Sequence, residues 1–337
     1  MPNVCKNCFS DRELVGFINT QATKGNCDFC GSEDVESLKV EELYDFFKEL
    51  LDNFRITADG DSLKSKIQGN WSLFSSLENA YNILNYVIDN IKTDIPNADA
   101  KVDFSIAILD NINYWDTLKS QLIWENRYFT DVNYLTDELG WDGYFHSQIE
   151  LNKDVELFRA RLHHSSGENP FTNSEMFCPP RQKATAGRAN PMGIPFLYLS
   201  DNKETILYEI RASYLDEISI GTFVLKDEIT SPIIISDFTE NVTLFYPSRV
   251  SERIKSTLLK QKISADLSKP MRRYDSELDY IPTQFICEFI KIYTGVQGIK
   301  FRSSLHTTGN NVVMFNQKLM NCTSTEKVKI NKVKIWT

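Results

Sequence analysis

Four cysteines near the N-terminus fall into two pairs, Cys5-Lys-Asn-Cys8 and Cys27-Asp-Phe-Cys30. Two residues between the members of a pair let both thiolates converge on one ion, and two such turns complete a tetrahedral four-sulfur site. Gly31, directly after the second pair, suits the tight turn of a knuckle. A redox function would need only one pair, and neither pair precedes a helix in a βαβ pattern. We therefore expect Cys5, Cys8, Cys27 and Cys30 to hold a zinc ion. With all four positions filled by protein no coordination site stays open, so the zinc is structural.

A second set of reactive residue types is spread over the C-terminal half. Arg159 lies in FRARLH, Arg188 and Tyr198 in GRANPMGIPFLYLS, Glu209 in ETILYEIR, and Ser303 in GIKFRSSLHTTGNNVVMFN. Singly, each has an ordinary explanation. Arginines on edge strands are usually solvated, a tyrosine in an apolar strand is usually core, and a glutamate on an amphipathic helix is usually exposed.

Taken together and in this order, the segments resemble the RES domain, a family named for its Arg, Glu and Ser. The family pattern runs from a strand with Arg through a Gly-Gly-Arg-Trp-Asn-Pro-like turn, a Leu-Tyr-x-Ser strand and a helix bearing Glu to a late Tyr-x-Ser strand. FRA, AGRANPMG, LYLS, LYEI and FRS match these in turn, and YIPTQFICEFI resembles the family's helix before the Ser strand. The chain departs from the pattern at Ala186, Ala189 and Phe301, which stand where the family has Gly, Trp and Tyr. The resemblance spans roughly residues 155 to 320. It implies an ADP-ribosyltransferase-like fold and the degradation of NAD by a toxin of a toxin–antitoxin pair, through hydrolysis or phosphorolysis. It further implies catalytic roles for Arg159, Glu209 and Ser303, and contacts to NAD from Arg159, Arg188, Tyr198 and Ser303. An antitoxin or regulatory protein is the implied partner. The N-terminal half resembles the helical module, called a HEPN/RES N-terminal domain, that precedes RES domains in some bacterial proteins.

The residue types suit that chemistry. Nicotinamide leaves NAD as a neutral base, so positive charge develops on the ribose, and a carboxylate such as Glu209 would stabilise it. A pyrophosphate calls for planar bidentate donors, which arginine supplies better than lysine. Tyr198 offers a ring to stack on nicotinamide or wall the pocket, and Ser303 a hydroxyl for a phosphate oxygen or the attacking group. No Gly-x-Gly-x-x-Gly follows an expected strand, which argues against a Rossmann mode of NAD binding and against redox use of NAD. Three other readings stay open. The acceptor could be a protein or small molecule, making the enzyme an ADP-ribosyltransferase. Arg159 and His164 satisfy the Arg-x4–6-His spacing of HEPN ribonucleases, although on an expected strand. A zinc-bearing adaptor that only binds nucleotide is the third.

The elements that must position these residues divide the chain by pattern into a cysteine-bearing stretch (1–37), a helical, HEPN-like domain (38–150) and an α+β RES domain (151–337). In VEELYDFFKELLDNF the residues Val40, Leu43, Phe46, Phe47, Leu50, Leu51 and Phe54 fall on one helical face, and SLFSSLENAYNILNYVIDNIK shows the same spacing from Leu73 to Ile91. After residue 155 short β-like runs alternate with helical ones, as an α+β domain requires. The 337 residues suffice for two ordinary cores. A net charge of -9 argues against a broad grip on nucleic acid or an anionic membrane. No run approaches the ~20 apolar residues of a spanning helix, and no basic leader opens into an apolar stretch. We read the protein as cytoplasmic.

Overall fold

The computed structural model describes residues 1–21, 23–146, 148–240, 242–269, 277–306 and 308–332. Compactness divides the chain differently from pattern. One unit comprises Met1–Tyr114 with Asn241–Leu259, the other Trp115–Glu240 with Lys260–Thr337. Among the described residues no helix is long and apolar enough to cross a membrane.

The first unit opens with strands β1 (Asn3–Cys5), β2 (Thr23–Gly25) and β3 (Val35–Lys39), which form a small antiparallel sheet in the order β1-β3-β2, with helix α1 (Arg12–Gln21) between β1 and β2. Helix α2 (Tyr44–Leu51) buries Phe46, Phe47, Leu50 and Leu51, the face expected from their spacing. The helix is shorter than that pattern. Val40–Leu43 form a 3-10 turn, and Phe54 already belongs to strand β4 (Phe54–Ser62).

Helices α3 (Leu63–Trp71) and α4 (Leu77–Asn90) follow, each capped by a serine side chain, Ser62 and Ser76, that accepts from a first-turn backbone N–H. Strand β5 (Lys101–Phe104) then returns to pair with β4. This hairpin corrects the reading of residues 38–150 as helical throughout. Its first strand, FRITADGDS, is mostly exposed and lacks the apolar alternation that would announce it. In α4, Leu77 and Tyr81 are largely exposed, while Ile83 joins Ala80, Leu84, Val87 and Ile88 inside.

Helix α5 (Ile106–Trp124) and the short α6 (Trp141–Tyr144) precede the strands of the second unit. These are β6 (Gln148–Glu150), β7 (Leu157–Leu162), β8 (Leu197–Ser200), β9 (Glu217–Leu225), β10 (Ile234–Asp237), β11 (Gly298–Arg302), β12 (Asn310–Met314) and β13 (Met320–Lys329). Helices α7 (Lys203–Glu209), α8 (Val250–Ser268) and α9 (Ile281–Thr294) complete the set. Among the described residues the strands form one mixed sheet in the order β13-β9-β7-β8-β12-β11-β10-β6, with β10 and β11 parallel and the other pairs antiparallel. The expected α+β texture after residue 155 is present, with β-like runs and helices where their patterns lay. Of the last run, KVKINKVKIW, residues 333–336 lie outside the described residues.

Strand alternation separates two cores. Leu157, Leu197, Leu199, Phe223, Val312 and Met314 pack on one face of the sheet. Phe158, Ala160, Ile218 and Ile220 pack on the other, against Ile206 of α7.

The sheet is nearly divided at its centre. β7 pairs with β9 at six successive positions, and β8 with β12 at four, but β7 meets β8 only at Phe158↔Ser200. The positions that would pair next, Arg159 and Ala160 opposite Leu199 and Tyr198, instead stand apart and border a cavity.

Candidate functional site

That cavity, of about 350 Å³, is bordered by Arg159, Arg188, Tyr198 and Glu209. Four sequence-selected residues are thus brought to one place. The fifth, Ser303, is buried behind Glu209 and donates its hydroxyl proton to Glu209 Oε1 at 2.7 Å.

Glu209 is the last residue of α7. Asn202 caps the first turn of that helix by accepting from the N–H groups of Glu204 and Thr205. The helix start is also tied to β12, because Asp201 accepts from the backbone N–H and the side-chain amide of Asn310. Gly309 touches Thr205 so closely that a Cβ there would fall 1.8 Å from Thr205 Oγ1. Glu209 Oε1 also accepts from Asn311 Nδ2 at 2.8 Å. Both bonds fall on one oxygen, and among the described residues Oε2 has no protein donor.

Ser303 Oγ accepts from the N–H groups of Leu305 and His306, so it shapes its own turn while holding the carboxylate. A hydroxyl has a single proton. In this structure that proton goes to Glu209.

Arg159 donates to Cys178 Sγ at 3.8 Å, and burial, partly offset by that guanidinium, raises the Cys178 thiol. Arg188 donates to the Asp266 carbonyl at 3.1 Å and lies over the Tyr280 ring at 5.4 Å. Its turn is held by the first residues of α9. Thr283 Oγ1 donates to the Arg188 carbonyl, and Gln284 Nε2 to the Gly187 carbonyl. The segment YIPTQ thus supports the arginine turn by direct bonds.

Tyr198 donates to Asn190 Oδ1 at 2.8 Å and accepts from the Ala189 N–H at 2.9 Å, and burial raises its phenol well above the usual value. Its hydroxyl therefore locks the turn while its ring walls the cavity. Gly187 is needed beneath it, since a Cβ would come within 2.6 Å of Tyr198 Oη.

Sequence reasoning missed Asn311, Arg211, Lys269 and Tyr280, which also border the cavity. Asn311, Arg211 and Tyr280 stand in segments already singled out, GNNVVMFN, ETILYEIR and YIPTQFICEFI. Nothing local marks Lys269. Among the described residues Arg159, Arg188, Arg211 and Lys269 face the single carboxylate of Glu209, so the lining they form is strongly cationic. It suits a polyanion that carries a cationic ring. His164 is exposed beyond the end of β7 and does not border the cavity, so it makes no paired site with Arg159.

The four N-terminal cysteines form a separate site. Their sulfurs lie within 4.8 Å of one another, with Cys5–Cys30 at 3.4 Å and Cys8–Cys27 at 3.5 Å. Four sulfurs ~2.3 Å from a central ion stand about 3.8 Å apart, so the cluster fits a tetrahedral ion. Gly31 adopts the left-handed φ of 71° that closes the second knuckle. The Cys27 thiol is lowered to about 4, first by the hydrogen bond from Cys8 and further by backbone N–H groups, against the effect of its burial. Four sulfur donors this close together form a set that could hold a metal ion.

A split α+β sheet holding a cationic, carboxylate-bearing cavity defines the class to which the second unit belongs. Residues 156–331 match the RES domain model, and the chain belongs to the RES domain family. Among solved structures, the chain is similar to one in the crystal structure of the M. tuberculosis MbcT–MbcA toxin–antitoxin complex. That similarity has 12% identity and a TM-score of 0.30, and covers 56% of this chain and 92% of that one. No curated protein matches the sequence.

Proposed function

We propose that the protein cleaves the nicotinamide–ribose bond of NAD. The observation that carries this reading is Glu209, anchored through one carboxylate oxygen by Ser303 and Asn311 at the edge of a cavity lined by Arg159, Arg188, Arg211 and Lys269. The cations receive the pyrophosphate. As the C–N bond breaks, its electron pair leaves with nicotinamide and positive charge spreads over the ribose C1 and ring oxygen. Glu209, half-buried and already oriented by Ser303 and Asn311, stabilises that charge with little reorganisation. Attack by water then gives ADP-ribose, nicotinamide and a proton. Attack by phosphate gives the phosphorylated ADP-ribose and nicotinamide. A protein side chain as acceptor would make the reaction an ADP-ribosyl transfer.

Membership of the RES domain family supports a toxin-like role, and we further propose an ADP-ribosyltransferase-like fold, a cytoplasmic location and an antitoxin or regulatory partner. The cysteine cluster is read as a structural zinc site within a HEPN-like N-terminal region. Incubating the protein with NAD, with and without phosphate, and identifying products by mass spectrometry tests the reaction. Free ADP-ribose marks hydrolysis, and a phosphate-dependent product 80 Da heavier (the added HPO3 group, about 80 Da by composition) marks phosphorolysis. Intact NAD under both conditions sinks the reading.

A further inference from the structure

The Glu209 cavity has a neighbour. A second cavity, of about 290 Å³, is bordered by Ser120, Ile123 and Trp124 of α5 and by Asp279 and Pro282 near the start of α9. Arg188, Lys269 and Tyr280 border both cavities. Each volume lies near the low end of the ~300–1,000 Å³ usual for ligand sites. Because the two cavities share these lining residues, together they suit a dinucleotide, whose two nucleosides flank a pyrophosphate.

We propose that the second cavity takes the adenosine half of the substrate, with the Trp124 indole stacked on adenine. The inference rests on the NAD reading for its choice of dinucleotide. Trp124 is 72% exposed, and the half-buried Ile123 beside it on α5 also borders the cavity. A large exposed ring bordering a cavity is a ready platform for a base, since every base has a π-face. Lys119, although it also borders this cavity, is engaged with Asp116 and Asp266, which leaves Arg188 and Lys269 to meet the phosphates. The exposed Asp279 carboxylate accepts from ribose hydroxyls and repels a phosphate in their place, as acidic residues do in other NAD sites. Ser120, Ile123 and Trp124 lie upstream of the family-matched residues 156–331. Selection of a dinucleotide over a mononucleotide is thereby assigned to α5.

The test is calorimetric binding of AMP and of nicotinamide mononucleotide to the full-length protein and to Trp124→Ala. The exposed position of Trp124 lets the variant keep its fold. Stacking of one base is worth ~10-fold or more in affinity, so AMP should bind the wild type and weaken at least about tenfold in the variant. Nicotinamide mononucleotide should bind both proteins alike. Absent AMP binding to the wild type, equal AMP binding by the two proteins, or parallel loss of both ligands overturns the proposal. NAD cleavage by the wild type is scored separately. AMP binding that depends on Trp124 without cleavage retains the subsite and removes the reaction. Cleavage without that dependence removes only the subsite.

Discussion

Glu209 is held by two donors on one oxygen, and this arrangement separates the effects of its neighbours. Glu209→Gln keeps the shape and removes the charge needed chiefly in the transition state. Turnover should fall ~10²–10³-fold with little change in NAD affinity. Asn311→Ala removes one anchor and leaves the carboxylate charged, so steady-state kinetics should show a smaller loss of kcat, with KM nearly unchanged. If Glu209→Gln turns over NAD like the wild type, the carboxylate has another purpose. Gly187 offers a test of packing instead. An alanine there meets Tyr198 Oη at 2.6 Å and Asn190 Oδ1 at 2.7 Å. Crowding of this kind costs ~1–3 kcal/mol, visible as a lower thermal midpoint. In a double-mutant cycle Tyr198→Phe should offset part of that loss, because it removes the clashing hydroxyl.

Between elements, charge ties α3 to the β4–β5 hairpin. Asp103 on β5 accepts from Lys66 on α3 at 2.7 Å, and Lys66 lies 4.7 Å from the centre of the Phe104 ring. Burial alone would raise the Asp103 carboxyl, but the bond from Lys66 and the surrounding positive charge outweigh it and depress it. A depressed carboxyl stabilises the fold above its unfolded value of ~3.9, and that contribution is lost as pH falls through the folded value. The pair is partly exposed, which limits its worth to ~0–1 kcal/mol. Asp103→Asn should therefore be slightly less stable at neutral pH, with the difference in urea denaturation shrinking steadily as pH falls below ~3.9.

The second unit makes a stronger demand on its boundaries. Trp115 donates to Asp266 at 2.7 Å, Ser236 donates to the Phe145 carbonyl, and β6 pairs with β10. The division at residue 150 is a proposal drawn from pattern. A fragment of residues 151–337 lacks Trp115, Phe145 and β6, one partner of each of these contacts, so it should aggregate or unfold where one of 115–337 stays soluble. Equal solubility of the two fragments, measured by size exclusion, would favour the pattern boundary.

For the protein as a folded and regulated object, the metal is the first question. One zinc per chain is expected from elemental analysis, and Cys27→Ser should abolish it while NAD turnover is retained. A preparation made without chelator that contains no zinc would remove the idea. A toxin-like consumer of NAD must be restrained, and residues 1–150 are proposed to change activity without supplying catalytic groups.

What could be read from the chain was local. The cysteine pairs announce themselves because a knuckle needs only two intervening residues and one glycine. The strands and helices after residue 155 announce themselves because their apolar residues repeat within a few positions. The order of the RES segments identified Arg159, Arg188, Tyr198, Glu209 and Ser303 as a set, but not what each touches. Ser303 and Asn311 reach Glu209 from 94 and 102 positions away. Their meeting depends on the register of β11, β12 and β8 and on the close approach of Gly309 to Thr205. Neither appears in a window of neighbouring residues. The opening between β7 and β8 is decided in the same way, by pairing that stops after one position. The hairpin β4–β5 stayed hidden because an exposed polar strand has no apolar period to show. Hydrophobic pattern reports which side of an element is buried. Only the tertiary structure decides which distant donors arrive at a carboxylate, because that follows from how several registers and turns close together.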